Sequence, residues 1–193
     1  YPSSAALVYI SSSDVNDTIV GTGARTVTVE GLDTNYGQIT ETVNLNGQTQ
    51  VATTNQYLRV NRVYVASAGS GGTGAGVIYV ATSGEASGVP TGTTYAAIVA
   101  GENQSQMAVY TVPAAYSLFI DNVYFTAAVS ATANHVITKL ATRDLNGVFR
   151  SRTTNILENS PLINGFEYPL KISAKTDIEC RASGSTTNNQ VSA

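Results

Sequence analysis

The sequence is poor in the residues from which most protein chemistry is built. Among 193 residues there is one cysteine, one histidine, one methionine and no tryptophan. A single Cys excludes an intrachain disulfide framework and a Cys-built zinc site. A single His weakens most hydrolase and metalloenzyme readings. Charged residues make up 12%, about half the share of an ordinary globular domain. The formal net charge is −3 and the pI about 5.0, so no basic field exists to collect phosphates, and nucleic acid is not an expected partner. No apolar run approaches the ~20 residues of a membrane-spanning helix. No charged segment followed by an apolar core marks a signal peptide. The chain opens on Tyr1-Pro2 without an initiator methionine, so an upstream segment is expected either to have been removed or to lie outside this sequence. At 20.1 kDa the chain suffices for one substantial domain, or at most two small ones. It can bury roughly 70% of its unfolded surface without a disulfide or metal.

What is present reads as β-structure. Ser, Thr, Val, Tyr and Ile crowd short runs, and Gly, Asn, Asp and Ser punctuate them. Arg25–Leu32 alternates, with Val27 and Val29 on one side and Thr26, Thr28 and Glu30 on the other. Gln38–Leu45 alternates in the same way. Asn46-Gly47 then predicts a type I′ turn, returning the chain as a partner strand over Gln48–Thr53. Further strands are predicted at Thr93–Ala100, Gln106–Val112, Val148–Thr154, Gly165–Ile172 and Asp177–Ala182, with a last stub at Val191–Ala193. No window carries helical apolar spacing, and Asn155–Asn159 allows one helical turn at most. Tyr57–Ser67 and Tyr116–Val129 resemble each other: Leu58, Val60, Asn61, Val63, Tyr64 and Val65 align with Leu118, Ile120, Asp121, Val123, Tyr124 and Phe125. Each run leads through small residues into another strand, Val77–Ser83 or Val136–Arg143. Duplication with a period of about 60 residues and chance similarity of β-hairpins both account for this. Duplication would give two similar hairpins, one in each of two packed sheets. The predicted fold is all-β: an antiparallel two-sheet sandwich, jelly-roll-like, of about a dozen short strands. Residues 1–24 form an N-terminal arm or edge strand, and 25–193 form the sandwich domain.

The candidate constellations mostly reduce to structure. Asp14, Asn16, Asp17 and Thr18 are oxygen-rich, as a Ca²⁺ site requires, but lack the spacing and terminal carboxylate of an EF-hand, and an Asx-turn loop accounts for them. His135 has no sequence-near carboxylate or nucleophile. Cys180 shares a strand face with Ile178 and Ala182, opposite Asp177, Glu179 and Arg181, and reads as a small buried hydrophobe. Gly69–Gly76 lacks the Lys of a phosphate-binding loop, and is expected to be a flexible hairpin loop free to approach another surface. Ser83–Thr94 is a second such loop. Arg150 and Arg152, with Lys171 and Lys175, read as a solvated face balanced by Glu158, Glu167 and Glu179. Arg outnumbers Lys seven to three, which gives weak support to interface contacts. Eleven Tyr suit a glycan groove, a protein interface or a plain sheet face. No catalytic, cofactor-binding or metal-binding residue is assigned, and an enzyme is not expected.

The block from Asp17 to Asp33, DTIVGTGARTVTVEGLD, followed by Asn35-Tyr36 and Gln38–Gly47, resembles structural proteins of tailed, mostly aquatic bacteriophages. Tyr57–Ser67, Val112–Asp121, Gly147–Arg152 and Tyr168–Ala182 fit the same pattern. The resemblance covers most of the chain and implies a virion component with no catalytic residues to carry over. The expectation that follows is a capsid decoration or cement protein on the capsid exterior. Its partners would be copies of itself, a trimer by preference, and the major capsid protein. A tail- or fibre-associated glycan-binding module, or a secreted filament or adhesin subunit, is the alternative.

Overall fold

Alternating β-branched and polar residues carry the chain into sixteen strands, with no helix among the described residues. The computed structural model describes 1–128, 135–158, 161–185 and, as backbone, 190–192. Every strand pair is antiparallel, so the all-β expectation holds. The chain forms two compact units, Tyr1–Met107 and Ala108–Ala193. The dividing point falls well beyond the predicted boundary at residue 24, since residues 1–24 belong to unit 1 together with the strands that follow.

Unit 1 contains β1 (Ala6–Ser12), β2 (Ala24–Leu32), β3 (Gln38–Asn44), β4 (Val51–Tyr57), β5 (Arg59–Ala68), β6 (Ile78–Ala81), β7 (Glu85–Ala86), β8 (Val89–Pro90) and β9 (Thr94–Ile98). They form a four-stranded sheet β4-β1-β6-β9, a three-stranded sheet β3-β2-β5 and a small ribbon β7-β8. Period-two alternation puts Val8, Ile10, Ile78, Val80 and Ile98 of the first sheet into one buried cluster with Val27, Val29, Val43 and Val63 of the second. The two sheets therefore pack face to face as a sandwich, each such side chain contributing about 1.5–3 kcal/mol by leaving water.

Three predictions change here. The predicted arm or edge strand is an interior strand: β4 and β6 pair with β1 on either side. Val8 and Ile10 are buried in the core. Asn46-Gly47 does not join two paired strands, since β3 pairs with β2 and β4 with β1. Only Gly47 has positive φ. Its N–H bonds Asp17 O and its carbonyl accepts from Ser12 N, so the 12–18 segment occupies this turn and β4 enters the other sheet. The single helical turn predicted from Asn155 is instead strand through Leu157, and Asn159 lies outside the described residues.

Unit 2 contains β10 (Val109–Thr111), β11 (Leu118–Ala128), β12 (Val136–Arg143), β13 (Arg150–Leu157), β14 (Pro161–Ile172), β15 (Asp177–Gly184) and β16 (Gln190–Ser192). The sheets are β10-β15-β12-β13 and β14-β11-β16. Val112, Leu140, Ile172 and Ile178 form the buried cluster, with Leu118, Ile120, Val123, Leu170 and Cys180 packed on it. The sandwich expected once thus occurs twice.

The internal repeat maps between units rather than between two sheets of one sandwich. β5 and β11 each lie in the three-stranded sheet of their unit, and β6 and β12 each follow in the four-stranded one. Matching β4, β5, β6 and β9 to β10, β11, β12 and β13, and β1 to β15, reproduces one sheet order in the other. The segment 103–105 lies on the second edge of β5, as β14 lies on β11. β16 occupies the place of β2. The strands of unit 2 thus follow those of unit 1 in cyclic order, starting at the β4 position. This shared order favours duplication over chance.

Candidate interaction surfaces

The oxygen-rich segment of unit 1 is a loop organised by one buried carboxylate. Asp17 is fully buried. Its Oδ1 accepts from Ala24 N at 2.7 Å and Ala75 N at 2.8 Å; its Oδ2 accepts from Ser12 Oγ at 2.5 Å and Gly76 N at 2.9 Å. Four donors converge on the carboxylate and supply the compensation that a buried charge requires. Asp14 makes the expected Asx turn, its Oδ1 accepting from the Asn16 backbone and side-chain nitrogens at 2.7 and 2.9 Å. Among the described residues no group of three His, Cys, Asp or Glu could hold a metal ion.

The glycine-rich loop is Asp17's other half. Gly69 N donates to Gly23 O at 2.7 Å and Gly71 N to Thr22 O at 2.8 Å. A Cβ at Gly23 would lie 2.1 Å from Asp17 Oδ1, and one at Gly76 would lie 2.6 Å from Asp14 N. Glycine is needed because two backbones of the same unit close on each other. The expected free loop is therefore a docked one, and the composition that suggested freedom reflects close packing. The result is a pinned tip at residues 13–23 that turns Val15, Ile19 and Val20 to solvent, Val20 at 85% exposure.

The rest of the N-terminal region is equally anchored. Arg59 is buried; its Nη1 donates to Pro2 O at 3.0 Å and Leu58 O at 2.9 Å. Its guanidinium lies 4.9 Å from the Tyr1 ring centroid and 5.7 Å from that of Tyr36. The Ser83–Thr94 loop forms the ribbon β7-β8 and is tied to β1 by Ser11 Oγ, which donates to Gly88 O at 2.8 Å.

In unit 2, Cys180 packs against the core as predicted, and burial raises its thiol pKa. His135 joins Ser185 through its backbone: His135 N donates to Ser185 Oγ, and Ser185 N to His135 O. Asp177, predicted to face solvent, is buried. It accepts from Thr111 Oγ1 at 2.6 Å and from Arg143 Nε and Nη2 at 3.0 and 2.6 Å. Arg143 and Arg181 lie over Phe149, 4.7 and 4.6 Å from its centroid, and Arg181 pairs with Glu179. No motif marks this network; Asp177 alternates with Glu179 as a surface residue would. Arg150 and Arg152 are exposed as predicted, and Arg152 Nε donates to Thr142 Oγ1 at 2.7 Å. Lys171, Glu158 and Glu167 are exposed too.

The tyrosines do not share one environment. Tyr57 is buried in unit 1, its hydroxyl donating to Val29 O at 3.2 Å; burial first, and Glu41 second, raise its pKa well above the usual value. Tyr64 is half-buried beneath Arg62, 4.9 Å from its centroid. Tyr116, Tyr124 and Tyr168 are exposed in unit 2. On the outer face of the β14-β11-β16 sheet, Phe119, Tyr124 and Ile163 stand in water at 58, 57 and 61% exposure, with Tyr124 directly opposite Ile163. This face and the 13–23 tip each gather exposed apolar side chains.

Neither a family model, a curated protein nor a solved structure matches the chain.

Proposed function

We propose that the chain is a non-enzymatic structural protein of a virion, a capsid decoration or cement protein that binds the head exterior and bridges capsomers. The Asp17–Asp33 resemblance suggests the setting, and one structural observation carries the reading: Asp17 holds a loop rigid while leaving Val15, Ile19 and Val20 bare. A preordered apolar tip loses little entropy on docking. It suits a mechanism of area burial and polar contacts repeated over a lattice, where avidity multiplies a modest single contact. Self-association and contact with a major capsid protein follow from that reading.

The test is electron microscopy of purified particles that carry this protein. Density at regular lattice points of an icosahedral shell, with the 13–23 tip against a capsomer, is the expected result. Density confined to tail or fibres would move the reading to glycan binding, and filaments without a shell would overturn the virion assignment.

A further inference from the structure

Asn-Gly occurs three times in the chain, at Asn46-Gly47, Asn146-Gly147 and Asn164-Gly165. Each pair carries the same latent chemistry. A glycine backbone nitrogen that has lost its proton to solvent can attack Cγ of the asparagine before it. The new N–Cγ bond closes a five-membered succinimide, the Cγ–Nδ2 bond breaks, and Nδ2 takes a proton from solvent and leaves as ammonia. One water then opens the ring to aspartate or isoaspartate. Glycine favours this attack because it has no Cβ to obstruct the nitrogen and its backbone turns freely. The sequence makes the three sites equal, and the fold decides among them.

Asn46 is exposed, but the peptide that would react is held from elsewhere in unit 1. Gly47 is buried; its N–H donates to Asp17 O at 2.8 Å, and its carbonyl accepts from Ser12 N at 2.9 Å. A Cβ at Gly47 would lie 3.2 Å from Val15 Cα, so the backbone has little room to turn. Asn164 lies within β14, opposite Val123, and its Nδ2 is buried. Ring closure there would break the strand pairing, and solvent cannot reach the departing nitrogen. Asn146 differs from both. It lies in the loop between β12 and β13, and Leu145, Asn146, Gly147 and Val148 are all exposed. The Gly147 N–H bonds Asp144 O at 2.8 Å within the same four-residue turn. Freeing that nitrogen requires only an exposed turn to loosen, the most frequent kind of local opening. We propose that Asn146 is a deamidation site of the folded protein, and that the fold shields Asn46 and Asn164. The product places a new carboxylate two residues from Asp144. The flanking strands pair as far as Thr142 and Arg150, outside the turn, so the sheet accommodates the extra backbone atom of an isoaspartate. The site stands independently of the virion reading.

The test is prolonged incubation of the full chain in mildly alkaline buffer, then digestion and sequencing of the peptides by mass spectrometry. Cleavage after Arg143 and Arg150 isolates Asn146 in one peptide. In the native protein Asn146 should exchange NH2 for OH at least tenfold faster than Asn46 or Asn164. A more acidic species should accumulate on isoelectric focusing in step with that peptide. In urea that unfolds both units the three sites should convert at similar rates, because their local sequence signal is the same. Native conversion of Asn46 or Asn164 as fast as Asn146 overturns the inference. So does an Asn146 that stays intact in the native protein while converting in urea. Asn146→Ser should abolish the acidic species; its persistence at the wild-type rate would place the reaction elsewhere and refute the assignment.

Discussion

Replacing Asp17 should cost more stability than replacing any other carboxylate of unit 1. The side chain is fully buried and accepts four hydrogen bonds, three from backbone N–H groups that have no other acceptor in the loop. Hydrogen bonds to a charged group are worth about 1.5–3 kcal/mol each, but they share one carboxylate and do not add. Asp17→Asn keeps Oδ1 for Ala24 and Ala75. It turns the other atom into a donor facing Gly76 N–H, and Ser12 Oγ can rotate to accept. One bond lost and one N–H opposed by a donor give a loss of about 2–3 kcal/mol. Asp17→Ala strands all four donors and should cost about 3–5 kcal/mol, the range for breaking a buried charged network. The assay is urea unfolding followed by a signal from unit 1. The two variants should lower the midpoint in that order. Equal losses for both, or a loss for Asp17→Ala within about 0.5 kcal/mol of wild type, would refute the claim that this carboxylate holds the 13–23 and 69–76 loops together.

Tyr57 gives a pH signature. Its folded pKa is raised above the usual value near 10, so its contribution is fully present below pH ~10 and is lost as pH rises toward the folded value. Alkaline unfolding should therefore steepen above pH ~10. Tyr57→Phe should flatten that dependence while costing about 1 kcal/mol at neutral pH through the lost bond to Val29 O. Cys180 should react slowly with a thiol reagent at pH 8 in the folded protein, because burial raises its pKa, and rapidly once unit 2 unfolds. Rapid reaction under native conditions would show that it does not pack on the core. Arg143→Ala removes both guanidinium donors from the buried Asp177, and should destabilise unit 2 by about 2–4 kcal/mol in the same urea experiment.

The strands were legible because alternation is a local signal. Val27 and Val29 face the core of unit 1 as their spacing predicts. β12 occupies the predicted Val136–Arg143 without adjustment. What pairs with what was not legible. Asn46-Gly47 has the composition of a hairpin turn, yet its backbone is bound by Ser12 and Asp17, more than two dozen residues away in sequence. The same limit hid the role of the glycines in 69–76, where composition cannot distinguish a loop free of contacts from one packed too tightly for a Cβ. Asp17 and Asp177 were visible as residues but not as buried hubs, since their donors come from segments far apart in sequence, Ser12, Ala24 and Ala75–Gly76 for the one, Thr111 and Arg143 for the other. The repeat was legible as two similar strands; its meaning as two sandwiches required the sheet order.

The most informative comparison lies between positions that the repeat makes equivalent. At the β5 edge, Arg62 lies over Tyr64 and donates through Nη2 to Gln104 Oε1 at 3.0 Å. Tyr64 is half-buried, and β2 occupies the neighbouring place. At β11 the aligned positions hold Asn122 and Tyr124, and the ring stands 57% exposed. The aligned ring is thus half-buried in one unit and exposed in the other, with a change from Arg to Asn beside it. Asn122→Arg should leave the thermal stability of unit 2 within about 0.5 kcal/mol, as for an exposed residue. If folding is unchanged, the divergence between the repeats at this position carries no load in the unit 2 sheet. If folding is lost instead, Asn122 is a structural residue of its own sheet, where it stands opposite Gly165 on β14 and a Cβ at Gly165 would lie 3.1 Å from its Oδ1.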